Sequence, residues 1–159
     1  MPESSQKSDL RQSLIKYAGR ILVARPYFRF KLREKLFQRA QKLGFADSGS
    51  VIDSIIDDLA KSGYLDDSYL SESYVRRQLS KGYGPKIISL KLLALGLDRE
   101  TVSLALKSSA SEVAEIASIR QYSQKYARLD RRKLIGKLYF RGYSGPIIKK
   151  VFDGDYLED

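Results

Sequence analysis

The sequence predicts an all-α fold, on three observations. Apolar residues recur at helical spacing through most of the 159-residue chain, and no convincing period-two run marks a strand. Glycine, proline and capping residues break that pattern into short segments. The pattern also repeats around Gly44, Gly96 and Gly142. The expected architecture is three tandem three-helix repeats, helix-turn-helix-like units, forming an elongated curved array.

Residues 1–9 read as a loose polar tail. Leu10, Leu14, Ala18, Ile21 and Leu22 mark one face of a first helix, which stops before Pro26 because the residue before proline avoids helical angles. A second helix runs from about Phe30 to Leu43, with Lys31, Arg33, Lys35, Arg39 and Lys42 on its polar face. Val51, Ile52, Ile55, Ile56 and Leu59 mark a third, with Asp53, Asp57 and Asp58 outward. Gly63 ends it. Asp66 or Asp67 caps a fourth helix by accepting first-turn amide hydrogens, and Leu70, Tyr74, Val75 and Leu79 line it. Gly82 and Gly84 end that helix. Pro85 opens the fifth, where its missing N–H costs nothing. Gly96 closes the fifth and Asp98 caps the sixth, whose apolar run reaches Leu106.

Lys107 to Ser111 read as a short linker and cap. Val113, Ala117, Tyr122 and Tyr126 suit a seventh helix. Asp130 starts an eighth, with Leu134, Ile135 and Leu138 inward, and Gly142 ends it. Ile147, Ile148, Val151 and Phe152 complete a ninth. The units are therefore 10–62, 63–107 and 108–152, followed by an acidic tail, 153–159.

The repeat is specific in register. Four residues before the three glycines lie Ala40, Leu92 and Leu138, and eight before lie Leu36, Ile88 and Leu134. Phe45, Leu97 and Tyr143 follow them directly. Val102 and Leu106 match Ile148 and Phe152, while Ile52 and Ile56 arrive two residues later, a small insertion in the first unit. Five before each glycine is a cation: Arg39, Lys91, Lys137. Nine before, Lys35 and Lys133 match. Regular stacking would set these cations in a basic row. Lys133, Lys137 and Arg141 also share a stripe on one helix.

Composition narrows the chemistry. The chain carries 29 Lys and Arg against 19 acids, a net charge of +10. Residues 1–44 hold eleven cations against three acids, and residues 74–150 hold seventeen against five. Residues 45–73 and the last nine are acidic. Segregated positive charge on this scale suits a polyanionic partner, above all nucleic acid. There is no cysteine and no histidine, which removes disulfides, thiolate metal sites and histidine catalysis and fits a reducing cytoplasm. No run is long and apolar enough to span a membrane, and the start lacks a signal segment. The core is sufficient: a chain of this size buries roughly 70% of its unfolded surface. Asp66 with Asp67 lacks the further ligands of a metal site, Gly82-Tyr-Gly-Pro lacks the ending of a nucleotide-binding loop, and no serine has a recognisable base partner. We therefore expect no enzyme, no metal and no cofactor.

The stretch Gly63-Tyr-Leu-Asp-Asp, a helix bearing Tyr74, Arg76 and Arg77, then Lys81-Gly-Tyr-Gly-Pro, Ile88, Leu92 and Gly96 resembles the bacterial RecX family of recombination regulators. The ordered combination carries the resemblance, chiefly over residues 59–106. It implies three helical units and a modulator of the RecA recombinase. Such a protein binds the RecA–single-stranded DNA filament and restrains strand exchange, ATP hydrolysis and the co-protease activity behind the SOS response of DNA repair.

The resemblance transfers no single functional residue, so the candidate contacts come from charge and repeat position. The filament or nucleic-acid candidates are Lys35, Arg39, Arg76, Arg77, Lys81, Lys86, Lys91, Arg131, Arg132, Lys133, Lys137, Arg141, Lys149 and Lys150. Tyr83 and Tyr139 are the best placed to stack on bases; Phe140 and Tyr143 also lie beside cations, though Tyr143 matches a core position. Each stacked base would contribute ~1–3 kcal/mol. Asp53, Asp57 and Asp58, with the acidic C-terminus, are candidates for contacting a protein partner. With no heptad seam, a monomer is expected. The competing reading is a stand-alone, non-specific nucleic-acid-binding module. A sequence reader is disfavoured, because the chain has no asparagine and its cations are spread over several helices.

Overall fold

A computed structural model describes the backbone of residues 2–154 and the side chains of residues 4–154. Nine α-helices and no strand lie among the described residues. They are α1 (Pro2–Ala24), α2 (Arg29–Lys42), α3 (Gly49–Lys61), α4 (Asp67–Ser80), α5 (Pro85–Ala94), α6 (Arg99–Ser109), α7 (Glu112–Lys125), α8 (Arg131–Phe140) and α9 (Gly145–Gly154).

Five helices end the same way. Gly44, Gly63, Gly82, Gly96 and Gly142 all take positive φ, between 78° and 94°. In each case the next residue's N–H reaches back into the last turn: Phe45 to Ala40, Tyr64 to Leu59, Tyr83 to Gln78, Leu97 to Leu92, Tyr143 to Leu138. This is the Schellman arrangement, which satisfies carbonyls that the helix itself leaves open. Gly84 differs from Gly82. Its φ is −85°, and it stands at the N-cap of α5 with Pro85 following.

The helix starts are equally local. Asp66 Oδ1 accepts from the Tyr69 N–H at 3.0 Å and so caps α4. Asp67 instead caps α2 from a distance, accepting from the Arg29 N–H at 3.0 Å. Asp98 accepts from Thr101 N–H at 2.7 Å and Ser111 from Ala114 N–H at 3.2 Å. Asp130 precedes α8 but makes no side-chain cap bond.

Several further expectations need correction. Residues 2–9, read as a loose tail, are helical. Once Leu10 and Leu14 anchor α1 in the core, each added turn costs little and polar residues with adequate propensity extend it. Lys107 to Ser109, read as linker, finish α6. On α7 the inward residues are Ser118, Ile119 and Tyr122, whereas Val113 is 77% exposed. A buried serine hid that face from an apolar reading. Of the acidic tail, Asp153 and Gly154 end α9, and residues 155–159 lie outside the described residues.

The chain divides into two compact units, Met1–Leu70 and Ser71–Asp159. In the first, α1, α2 and α3 close around Leu10, Leu14, Ala18, Leu32, Leu36, Ala40, Ile52 and Ile55, all nearly fully buried. In the second, α5 packs on α6, and α9 packs on α7 and α8. Ile119, Leu134, Leu138, Ile147, Ile148 and Val151 form a core there with Tyr122 and Tyr143. The residues that define the repeat register are core residues: Leu36, Ala40, Ile88, Leu92 and Leu138 are at 0% exposure.

Candidate nucleic-acid interface

The second unit is tied together by two similar loops. Lys81-Gly-Tyr-Gly-Pro joins α4 to α5, and Arg141-Gly-Tyr-Ser-Gly-Pro joins α8 to α9. Gly84 N–H donates to the Arg141 carbonyl at 2.8 Å, and Lys86 N–H donates to the Gly142 carbonyl at 3.2 Å. In return, Arg141 Nε donates to the Gly82 carbonyl and its Nη2 to the Lys81 carbonyl, both at 2.6 Å. The backbones approach so closely that a Cβ on Gly84 would lie 2.4 Å from the Gly142 carbonyl carbon. One on Gly142 would lie 2.6 Å from the Ile87 nitrogen. Glycine is required at both positions for this approach.

Around this lock, cations and aromatic rings alternate. Lys91 Nζ lies 3.5 Å from the Tyr83 ring centroid, and the Arg141 guanidinium lies 4.1 Å from it. Arg141 is also 4.6 Å from the Tyr122 ring, which packs on Tyr126 at 4.6 Å between centroids. Lys137 Nζ lies 5.7 Å from Tyr126. Lys91 and Lys137, matched by the repeat, thus stand at the two ends of one ladder. Beneath it, Tyr143 OH donates to Ser118 Oγ, which donates to the Leu79 carbonyl. Burial raises the Tyr122 and Tyr143 phenols above their ordinary range, and the positive Arg141 nearby opposes this only in part. Both phenols therefore stay protonated at neutral pH.

The candidate cations fall into two groups. Several are engaged inside the protein. Arg141 is a capping residue as much as a surface charge. Lys91 is half-buried and donates to Gln78 Oε1 at 3.0 Å. Arg76 donates to Ser109 Oγ and Ser73 Oγ and faces Glu72 at 3.9 Å. Arg131 donates to the Phe152 carbonyl and faces Asp153 at 3.5 Å. Lys150 pairs with Glu112. In the first unit, Lys35 lies over Tyr27 and Arg39 over Tyr17. The second group comprises Arg77, Lys81, Lys86, Arg132, Lys133 and Lys149, which are exposed and make no ion pair among the described residues.

The aromatics sort just as clearly. Tyr83 already carries two cations and is half-buried. Tyr143 is in the core at 3% exposure, as its repeat position implies. Tyr139 is 54% exposed and Phe140 87%, side by side at the end of α8. Tyr139 edges a groove of about 530 Å³ between α8 and α9, whose rim includes Lys149 and Phe152. Among the acids, Asp53 pairs with Arg33 at 2.7 Å and Asp58 with Arg11 at 2.5 Å, while Asp57 makes no such contact among the described residues. Among the described residues, no group of carboxylates has the arrangement to hold a metal ion, and no helix is long and apolar enough to cross a membrane.

No family model matches the sequence. Individual relatives do. The regulatory protein RecX of Pseudomonas fluorescens is 30% identical over 146 residues, spanning 87% of this chain and 89% of its own. The chain belongs to the RecX family. The regulatory proteins RecX of Thermotoga maritima and Xanthomonas axonopodis are each 31% identical, over 87% and 93% of this chain and 82% and 90% of theirs. The crystal structure of RecX from Lactobacillus salivarius matches with a TM-score of 0.77 at 23% identity, across 94% of this chain and 99% of that one. That likeness carries the fold.

The sequence missed two features of this RecX-family site. Arg141 reaches carbonyls 59 and 60 residues away, a contact no local pattern encodes. Phe140 was legible only as an aromatic beside cations; its exposure follows from the α8 face taken up by Leu134 and Leu138.

Proposed function

We propose that this RecX-family chain regulates RecA by binding the RecA–single-stranded DNA filament and restraining strand exchange, ATP hydrolysis and co-protease activity. The supporting observation is similarity along nearly the whole length to several proteins named as the regulatory protein RecX. The charge is of the matching kind: Arg132, Lys133 and Lys149 are exposed without acidic partners among the described residues, and Lys149 lines the same groove as the exposed Tyr139. Cations beside an exposed ring suit a single strand, whose phosphates meet the charge and whose bases stack. Asp57, open on α3, and the acidic C-terminal residues are the corresponding candidates for RecA itself. The units and repeats serve as a scaffold that presents several such surfaces; no catalysis and no cofactor are needed.

The test is RecA turnover. Adding the purified protein to RecA on single-stranded DNA should lower steady-state ATP hydrolysis in a dose-dependent way. Unchanged hydrolysis at saturating protein would remove the regulator reading. Tight binding to bare DNA in that case would favour a stand-alone nucleic-acid module.

A further inference from the structure

We infer that a pocket between α1 and α2, in the first unit, binds a phosphate group of a nucleic-acid strand. Ser13, Lys16, Tyr17 and Arg20 fall on one face of α1, at i, i+3, i+4 and i+7, and Arg39 reaches in from α2. Together they line a pocket of about 390 Å³. Both guanidiniums lean on the same ring: Arg20 lies 5.6 Å and Arg39 5.7 Å from the Tyr17 centroid. No carboxylate among the described residues lines the pocket. In this unit Asp53 pairs with Arg33, Asp58 with Arg11 and Glu34 with Lys31.

Arg39 supplies the second observation. Its Nε is buried and has no hydrogen-bond partner among the described residues. A buried charged donor left unpaired is costly, because it gives up water and receives nothing in return. An acceptor-only anion in the pocket would offset the mutual repulsion of Lys16, Arg20 and Arg39, and a rotation of the Arg39 guanidinium would bring the covered Nε to it. Phosphate oxygens suit this set: guanidinium forks bind them in a planar, bidentate way, lysine adds a point charge, and the Ser13 and Tyr17 hydroxyls supply further donors. The inference rests on the proposed contact with a DNA strand and adds a site on the first unit to the α8 cations of the second.

The test follows the Arg39 Nε–H signal by NMR in the full chain, titrated with short oligothymidylate and, separately, with inorganic phosphate. The comparison variant replaces Lys16 and Arg20, both exposed, with glutamine (K16Q/R20Q). The expected result is a saturable shift of the Arg39 signal with oligothymidylate. The variant should lose that shift, and its log affinity against log salt should be shallower by about 1.4, two single-strand phosphate contacts at ~0.7 each. A shift with inorganic phosphate alone would keep the pocket as a phosphate site and reject the strand as its source. No shift with either ligand would overturn the proposal. RecA-filament binding, measured on the same samples, separates the two readings. Its persistence alongside a silent Arg39 leaves the regulator function standing without this pocket.

Discussion

Arg141 serves two carbonyls that the end of α4 leaves open, and it does so across 59 and 60 residues of sequence. A guanidinium fork can meet two carbonyls at once while lying against Tyr83 and Tyr122; a lysine ammonium cannot. Arg141→Ala should therefore destabilise the protein by about 2–3 kcal/mol in chemical denaturation, the range for losing hydrogen bonds to a charged group. Arg141→Lys should recover little of it. The glycines beside it make a sharper pair of tests. Gly84→Ala forces a Cβ into the backbone of Gly142 and should cost ~1–3 kcal/mol through overpacking. Gly136→Ala, inside α8 with nothing within 4 Å of the added carbon, should stabilise by ~0.5–1 kcal/mol. Asp98 supplies a pH prediction. The Thr101 N–H and hydroxyl hold its carboxyl below the ordinary carboxylate range. A lowered folded pKa means the ionised cap contributes stability above the unfolded value and loses it as pH falls through the folded one. An NMR titration of the Asp98 side chain should show the low midpoint, and Asp98→Asn should flatten that part of the acid limb.

Helix caps show how far local chemistry reaches. Gly44, Gly96 and Gly142 were identifiable as stops because only glycine takes positive φ cheaply, and all three do. Asp66 and Asp67 were also identifiable as a capping pair. The sequence left open which of them caps α4 and held no sign that Asp67 caps α2, since that bond spans 38 residues. Asp67→Ala should cost about 1 kcal/mol, the usual worth of a cap. The loss should appear as faster amide exchange in the first turn of α2, not only in α4. The α7 face was misread for a physical reason: Ser118 is buried, and its hydroxyl bonds to Tyr143 and to the Leu79 carbonyl. A polar residue on a core face is invisible to apolar periodicity. On α8 the candidate surface was legible, because Leu134 and Leu138 fix the inward face and leave Arg132 and Lys133 outside. Replacing both with glutamine should leave stability within about 0.5 kcal/mol. The same change should reduce the salt dependence of single-strand binding by about 1.4 in slope.

At the scale of the whole molecule, family membership and charge carry the functional account. A net charge of +10 predicts attraction to any polyanion, so affinity for DNA alone separates little. Discrimination lies in what the filament adds to the strand. The most direct measurement compares binding of the protein, at near-physiological salt, to labelled single-stranded DNA alone and to the same DNA coated by RecA with a slowly hydrolysed ATP analogue. The account predicts much tighter binding to the coated filament. Equal or tighter binding to the bare strand would contradict it.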